Sequence, residues 1–143
     1  MAKIIFFIMF LSLLTSCKKD SSNPTAAGDS ALVGTWVLTN ITGTTQQGTE
    51  TVSPANAGIS MTLVFNNSNV MSLSMDQGGT ITNENLNWKT SNGNLSLTPT
   101  VGGSATVLPY TISGNKADVN FISLISTLNG VSVTSLIFEF TKQ

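Results

Sequence analysis

The side chains that could carry out acid–base or metal chemistry are few in this chain of 143 residues. It contains no histidine and a single cysteine, Cys17. Histidine is the side chain that ordinarily titrates near neutral pH, so its absence removes the usual general base. A carboxylate pair in a cleft or a calcium loop needs acids at close spacing, and those after residue 30 are dispersed: Glu50, Asp76, Glu84, Asp118 and Glu139. We therefore expect no catalytic site, no metal and no cofactor, and predict that the chain is not an enzyme.

Cys17 follows a segment with the properties of a targeting peptide. Lys3 gives that segment a positive start, and residues 4–14 are an apolar run. The run is about eleven residues long, whereas a helix needs roughly 20 to cross a bilayer, so it indicates a signal peptide rather than a membrane span. As the only cysteine, Cys17 cannot form an intramolecular disulfide.

The sequence Leu14-Thr15-Ser16-Cys17 resembles the bacterial lipoprotein signal. In that family the signal is cleaved before the cysteine, the thiol is joined to diacylglycerol and the new amine is acylated. Several acyl chains are needed because each buried methylene contributes about 0.8 kcal/mol and one chain binds only marginally. The resemblance implies that residues 1–16 are removed and that Cys17 anchors the protein in a membrane. The alternative is a soluble secreted protein with a cysteine near its cleavage site.

The composition of the chain limits the classes of partner that it can bind. The net charge is −1, only 9% of residues are charged and arginine is absent, so the basic stripe that nucleic acids require is missing.

Residues 17–31 are small, polar and rich in chain breakers, which predicts a flexible linker. Lys18 after the cysteine follows the sorting pattern of outer-membrane lipoproteins in enteric bacteria. We expect a lipid-anchored protein of the cell envelope, with its periplasmic or surface orientation left open.

Residues 32–143 are predicted to form one all-β domain. Short alternating runs separated by Gly, Asn and Ser indicate strands, at about 32–41, 59–66, 70–76, 80–90, 94–99, 105–113, 116–128 and 131–141. Joined mostly by short turns, they predict an up-and-down antiparallel barrel of eight strands, because closure removes exposed edges. Residues 118–130 also have helical spacing, but a hairpin turn at Asn129-Gly130 favours strands.

Turn positions predict how the strands pair. A loop at 67–69 places Phe65 opposite Met71, and a turn at 92–93 places Trp88 opposite Leu97. Turns at 114–115 and 129–130 predict two rows across the last three strands, which are Tyr110-Val119-Phe140 and Leu108-Phe121-Phe138. The glycines at 78–79 pair Met75 with Ile81 only if a bulge follows near 83–85.

The start of the domain, Leu32-Val33-Gly34-Thr35-Trp36, resembles the Gly-x-Trp opening of lipocalins. It is more similar to the short lipocalin-like domains of Bacteroidota lipoproteins, and the resemblance covers roughly residues 32–142. It implies a small barrel with a pocket for an apolar ligand. Two departures stand out: the arginine that packs over the first tryptophan in lipocalins is missing, and the loop over about 43–58 is long.

Candidate binding residues share the predicted inner face of the barrel. The side chains expected to line a ligand pocket are Phe65, Met71, Met75, Trp88 and Tyr110, whereas Gly34 and Trp36 are assigned structural roles. An eight-stranded barrel holds either packed side chains or one small ligand, so a structural or interaction module with a filled core is the alternative. The last hairpin also carries an apolar strip that could form a homodimer or partner contact: Ile122, Leu128, Val131, Val133 and Ile137.

Overall fold

The computed structural model describes residues 29–124, 127–128 and 131–143. The predicted signal peptide, Cys17 and most of the predicted linker lie outside them. The elements in chain order are a 3-10 helix (Ser30–Leu32), β1 (Gly34–Thr45), β2 (Gly48–Val52), α1 (Pro54–Ala57), β3 (Ile59–Phe65), β4 (Val70–Gln77), β5 (Thr80–Ser91), β6 (Asn94–Pro99), β7 (Thr106–Ser113), β8 (Lys116–Asn120), β9 (Thr127–Leu128) and β10 (Val131–Lys142).

Eight of the strands in the described part of the chain close into one antiparallel barrel. The order around the barrel is β1, β3, β4, β5, β6, β7, β8 and β10, and β10 pairs with β1. That closing pair extends from Trp36 opposite Lys142 to Thr45 opposite Val133. Closure leaves no free edge in the barrel wall. The predicted all-β, up-and-down barrel of eight strands is confirmed.

Side-chain alternation divides the wall into an apolar inside and a polar outside. In β3 and β4 the inward residues are buried, among them Met61 opposite Met75 and Phe65 opposite Met71. The Asn92-Gly93 turn has positive φ at both residues, as a type I′ hairpin requires, and it places Trp88 opposite Leu97. These predicted registers are confirmed.

The predicted pairing of Met75 with Ile81 is wrong. Gly78 and Gly79 both have positive φ and form a two-residue turn, so β4 and β5 pair without interruption from Gln77 opposite Thr80 to Val70 opposite Asn87. The predicted bulge is therefore absent between these two strands. Met75 faces Thr82, and Ile81 points outward with 65% of its surface exposed. As a consequence, Glu84 is on the inner face of β5.

The predicted rows across the last strands are shifted by two residues. Tyr110 faces Val119 as predicted, but Val119 faces Phe138 rather than Phe140. The predicted hairpin register is kept at Leu128 opposite Val131 and at Thr127 opposite Ser132, and its turn at 129–130 lies outside the described residues. Between these two pairings, the segment 119–128 is two residues longer than the segment 131–138 that it faces. The extra residues are accommodated because β8 ends at Asn120 and the chain turns at 122–124. Phe121 still packs on Phe138, with 4.5 Å between ring centroids.

The segment 43–58, predicted as a long loop, is mostly regular structure. β1 continues to Thr45 and forms a hairpin with β2. The helix α1 follows, with the Ser53 hydroxyl accepting a hydrogen bond from the Asn56 amide at its N-terminus and Gly58 in a left-handed conformation at its end. Pairs of threonine hydroxyls across the hairpin, such as Thr42 with Thr51 at 2.8 Å, stabilise this extension.

One end of the barrel is closed by the 3-10 helix and Trp36. The Trp36 ring is 1% exposed, and its Nε1 donates a hydrogen bond to the Leu32 carbonyl at 2.6 Å. Lys142 lies over the ring, with Nζ 5.3 Å from its centroid, and donates to the Ala31 carbonyl. This lysine supplies the cation over the first tryptophan that the missing arginine would have supplied. It passes close to Gly34, where a Cβ would be 2.7 Å from its Cε.

A polar network on the outer wall joins the first and last strands. Glu139 accepts hydrogen bonds from Asn40 at 2.8 Å and Lys116 at 3.1 Å, with Thr39 at 3.3 Å. The Asn40 amide, followed by the Lys116 ammonium, holds the pKa of the Glu139 carboxyl below its ordinary value of 4.5. The network therefore stabilises the closing seam only while Glu139 is ionised.

We expect the Glu139→Gln variant to be less stable than wild type by about 1 kcal/mol at neutral pH. A lowered pKa in the folded state contributes stability that is complete above the unfolded value and is lost as the pH falls through the folded value. The difference between the two proteins should thus shrink as the pH falls below 4.5 and disappear once Glu139 is protonated in the folded protein. Urea unfolding across this pH range measures it, with the exposed Glu50→Gln as the control, and a pH-independent difference would contradict it.

Candidate functional site

An apolar cavity lies inside the barrel between β3 and β8. Its volume is about 50 Å³. Of the 15 described residues that line it, 13 are apolar. The cavity extends toward the open end of the barrel, which we define as the end bearing the turn at 78–79, the connection at 100–105 and the turn at 122–124. The opposite, closed end holds Trp36.

Strand pairing explains why these walls are apolar. Alternate residues of a strand face the same side, so Met61 and Met75 enter the interior together as a directly opposed pair. Leu95 opposite Leu108 forms the facing wall. Phe121 and Leu124, in the segment that follows β8, contribute the remaining side toward the open end.

Two polar residues interrupt the apolar lining, namely Glu84 on β5 and Thr106 on β7. Glu84 is opposite Leu73 and precedes the buried, inward-facing Leu86 by two residues. Thr106 is opposite Leu97, near the open end. A cavity with apolar walls and one or two polar groups is the usual form of a small-molecule binding site.

The predicted ligand-lining residues separate into two groups. Met71 and Met75 are on the cavity wall. Phe65 and Trp88 are buried below it toward the closed end, where their rings pack edge to face at 5.1 Å. Tyr110 is only half-buried and also lies toward the closed end. Gly34 and Trp36, predicted to be structural, are at the closed end, where Trp36 forms the plug.

Tyr110 contacts the start of the described chain instead of the cavity. Its hydroxyl donates a hydrogen bond to the Asp29 carboxylate at 3.1 Å, and the Asp29 amide donates to the Thr90 hydroxyl at 2.8 Å. Burial raises the pKa of the Tyr110 phenol above its ordinary value of 10.0. A hydrogen bond between Tyr110 and Thr90 lowers this pKa, and the negative charge of Asp29 raises it. Tyr110 therefore fastens the chain to the closed end.

Trp88 has a buried indole nitrogen with no hydrogen-bond partner among the described residues. Its neighbour across the ladder, Leu97, does line the cavity. Because the Nε1 proton is a donor without an acceptor, the tryptophan has a polar atom in an otherwise apolar core. Ring packing on Phe65 accounts for its position.

Glu84 was not selected from the sequence, although one signal could have identified it. A Gly-Gly turn fixes the pairing of the residues on either side, and counting on from it places every even-numbered residue of β5 on the inner face. The apolar Ile81 suggested the opposite parity. Leu95, Leu97, Leu108 and Phe121 also line the cavity, and their inward position follows from the same alternation.

The apolar strip predicted on the last hairpin is in part covered. Val133 is buried, and Ile122 and Ile137 are half-buried. A bulge between Thr44 and Thr45 places Thr45 opposite Val133, next to the β1–β2 hairpin. The side chains of Leu128 and Val131 lie outside the described residues, and the partner contact stays a prediction.

Within the described residues, no three Asp, Glu, His or Cys side chains come together as metal ligands would. None of the helices in that same part of the chain is long and apolar enough to cross a membrane.

Comparison with known proteins supplies one match. The model of the lipocalin-like domain family matches residues 32–122, from the 3-10 helix that closes the barrel to the turn that follows β8. No curated protein and no solved structure matches significantly.

Proposed function

Since this chain belongs to the lipocalin-like domain family, we propose that it is a membrane-anchored lipoprotein that binds a small apolar ligand inside its barrel. The observation that carries the proposal is the apolar cavity, enclosed by strands β3 to β8 and extending toward the open end. Members of this family are generally binding proteins without catalytic activity. The chain thus acts by holding a molecule, not by transforming one.

The size of the cavity limits the ligand to a narrow one. One water molecule needs about 10–15 Å³ of cavity volume, so the 50 Å³ of this cavity holds only a few groups of that size. Three of the lining side chains are methionines, Met61, Met71 and Met75, whose unbranched side chains adapt to irregular shapes. An alkyl chain that displaces these side chains fits the site better than a bulky ring system.

A non-catalytic structural or interaction module with a filled core is the second candidate. The small cavity favours it, because ligand pockets usually measure about 300–1,000 Å³. The two functions differ in what they predict for a titration with a simple apolar compound.

We expect the full chain to bind octan-1-ol with one-to-one stoichiometry in calorimetry. At a concentration 100 times the dissociation constant, the ligand should stabilise the protein by about 2.7 kcal/mol. The Leu97→Trp variant places a larger ring on the cavity wall and should weaken binding at least ten-fold. Val107→Trp places the same ring at an exposed residue on the outer wall and should bind as wild type does. Absence of binding by wild type, or equal binding by Leu97→Trp, would favour the filled-core module.

The anchor is the second part of the proposal. It is supported by the sequence Leu14-Thr15-Ser16-Cys17, in which the cysteine follows an apolar run of signal-peptide length. We infer that residues 1–16 are removed, that acyl chains are attached to Cys17 and that residues 18–28 are part of the tether of the barrel. The outer membrane of the cell envelope is the proposed location.

A further inference from the structure

Glu84 is the one ionisable residue among the described side chains that line the cavity. It is held there by the uninterrupted ladder between β4 and β5, which places it opposite Leu73. A one-residue change of register would turn it outward, but the two-residue turn at Gly78-Gly79 prevents that change. Its position inside the barrel is therefore a fixed property of the fold.

Each described lysine either contacts another group or points away from the interior of the barrel. Lys116 pairs with Glu139 at 3.1 Å, and Lys142 lies on Trp36 at the closed end. Lys89 is exposed on the outer face of β5, because odd-numbered residues of that strand point away from the interior. No hydrogen bond from another described residue reaches the Glu84 carboxylate either. The carboxylate thus has free acceptor capacity inside the barrel.

A carboxylate beside apolar walls discriminates between ligands by charge. Opposite charges attract more strongly where apolar side chains lower the local dielectric constant, and a charged group leaving water is costly unless it is paired. A ligand with a cationic head would satisfy the free acceptors of Glu84. A ligand with a carboxylate head, such as a fatty acid, would face repulsion from it.

We propose that the cavity selects an aliphatic amine, with the ammonium group paired to Glu84 and the alkyl chain among the methionine and leucine side chains. This inference rests on the ligand-binding function proposed above and adds the chemical class of the ligand. The narrow volume matches a single unbranched chain.

The test compares three ligands of equal chain length: octylammonium, octan-1-ol and octanoate. We expect calorimetry with the full chain to give an affinity for octylammonium at least ten-fold higher than for octan-1-ol, with octanoate weakest. Glu84→Gln should lower the affinity for octylammonium at least ten-fold and change that for octan-1-ol less than three-fold. Glu50→Gln removes the same charge from an exposed position on β2 and should change neither affinity.

The outcomes separate this inference from the function on which it rests. Equal affinity of wild type for octylammonium and octan-1-ol would overturn the amine preference while leaving a binding barrel. Equal effects of Glu84→Gln and Glu50→Gln would also overturn it, since the preference would then come from net charge. Failure of all three ligands to bind would overturn the binding function itself. The comparison of ligands on wild type needs no variant, so it stands even if Glu84→Gln is unstable.

Discussion

Replacing Trp36 with alanine will lower the free energy of unfolding by about 3–5 kcal/mol. Trp36 is 1% exposed, so the substitution removes a fully buried ring and leaves a void at the closed end. It also leaves the Leu32 carbonyl without its donor and Lys142 without the ring beneath it. Because domains of this kind are stable by about 5–15 kcal/mol, one such change takes a large fraction of the total.

Urea unfolding followed by circular dichroism measures this loss. Val101→Ala, at a side chain that is 90% exposed, is the control and should stay within about 0.5 kcal/mol of wild type. Two milder variants test the same plug if the alanine variant does not fold. Trp36→Phe loses the indole donor and Lys142→Met loses the cation, and each should cost about 1 kcal/mol. A loss below about 1.5 kcal/mol for Trp36→Ala would show that the ring is not the plug.

Replacing Cys17 with serine will move the protein from the membrane fraction to the soluble fraction. The serine hydroxyl takes the place of the thiol that we propose carries diacylglycerol, so the variant has no acyl chains and, with them, loses most of its membrane affinity. The effect should be close to complete, because Cys17 is the only cysteine of the chain and no other thiol can take up the diacylglycerol.

Fractionation and metabolic labelling with palmitate measure this effect. Wild type should pellet with membranes and incorporate the label, and Cys17→Ser should do neither. Ser16→Ala, which keeps a small residue before the cysteine, is the matched control and should behave as wild type. If Cys17→Ser still pellets and wild type incorporates no label, the anchor proposal is wrong.

Much of the barrel could be predicted because turn residues fix strand pairing. Asn92-Gly93 adopts the one hairpin geometry that suits positive φ at both positions, and the pairing of Trp88 with Leu97 follows by counting. Closure could be predicted because so long a meander leaves edges that are a liability unless they pair. The cation over Trp36 could not, since Lys142 comes from the far end of the chain.

Two wrong predictions arose because side chains alternate along a strand with a period of two, and this alternation alone does not determine which residues pair. A shift of two residues in the last hairpin leaves every side chain on its own face, so the alternation of Val119 and Phe121 fits the predicted and the observed pairing equally well. At Ile81 the apolar side chain suggested an inward position that was wrong. Burying an isoleucine contributes about 1.5–3 kcal/mol, but an inward Ile81 would have broken a ladder that extends over all of β4. That error hid Glu84, and with it the polar group of the candidate site.

The first described residue also determines which way the barrel would face on a membrane. Asp29 is fixed at the closed end of the barrel through Thr90 and Tyr110. The chain from Cys17 therefore joins the barrel at that end. If residues 18–28 form the predicted flexible linker, their average reach is roughly 20 Å, and the closed end of the barrel would lie nearer the membrane than the open end. On the lipid anchor that we propose, the open end would then face the aqueous space. The proposed ligand would enter the barrel from that aqueous side, and not from the membrane that holds the proposed anchor.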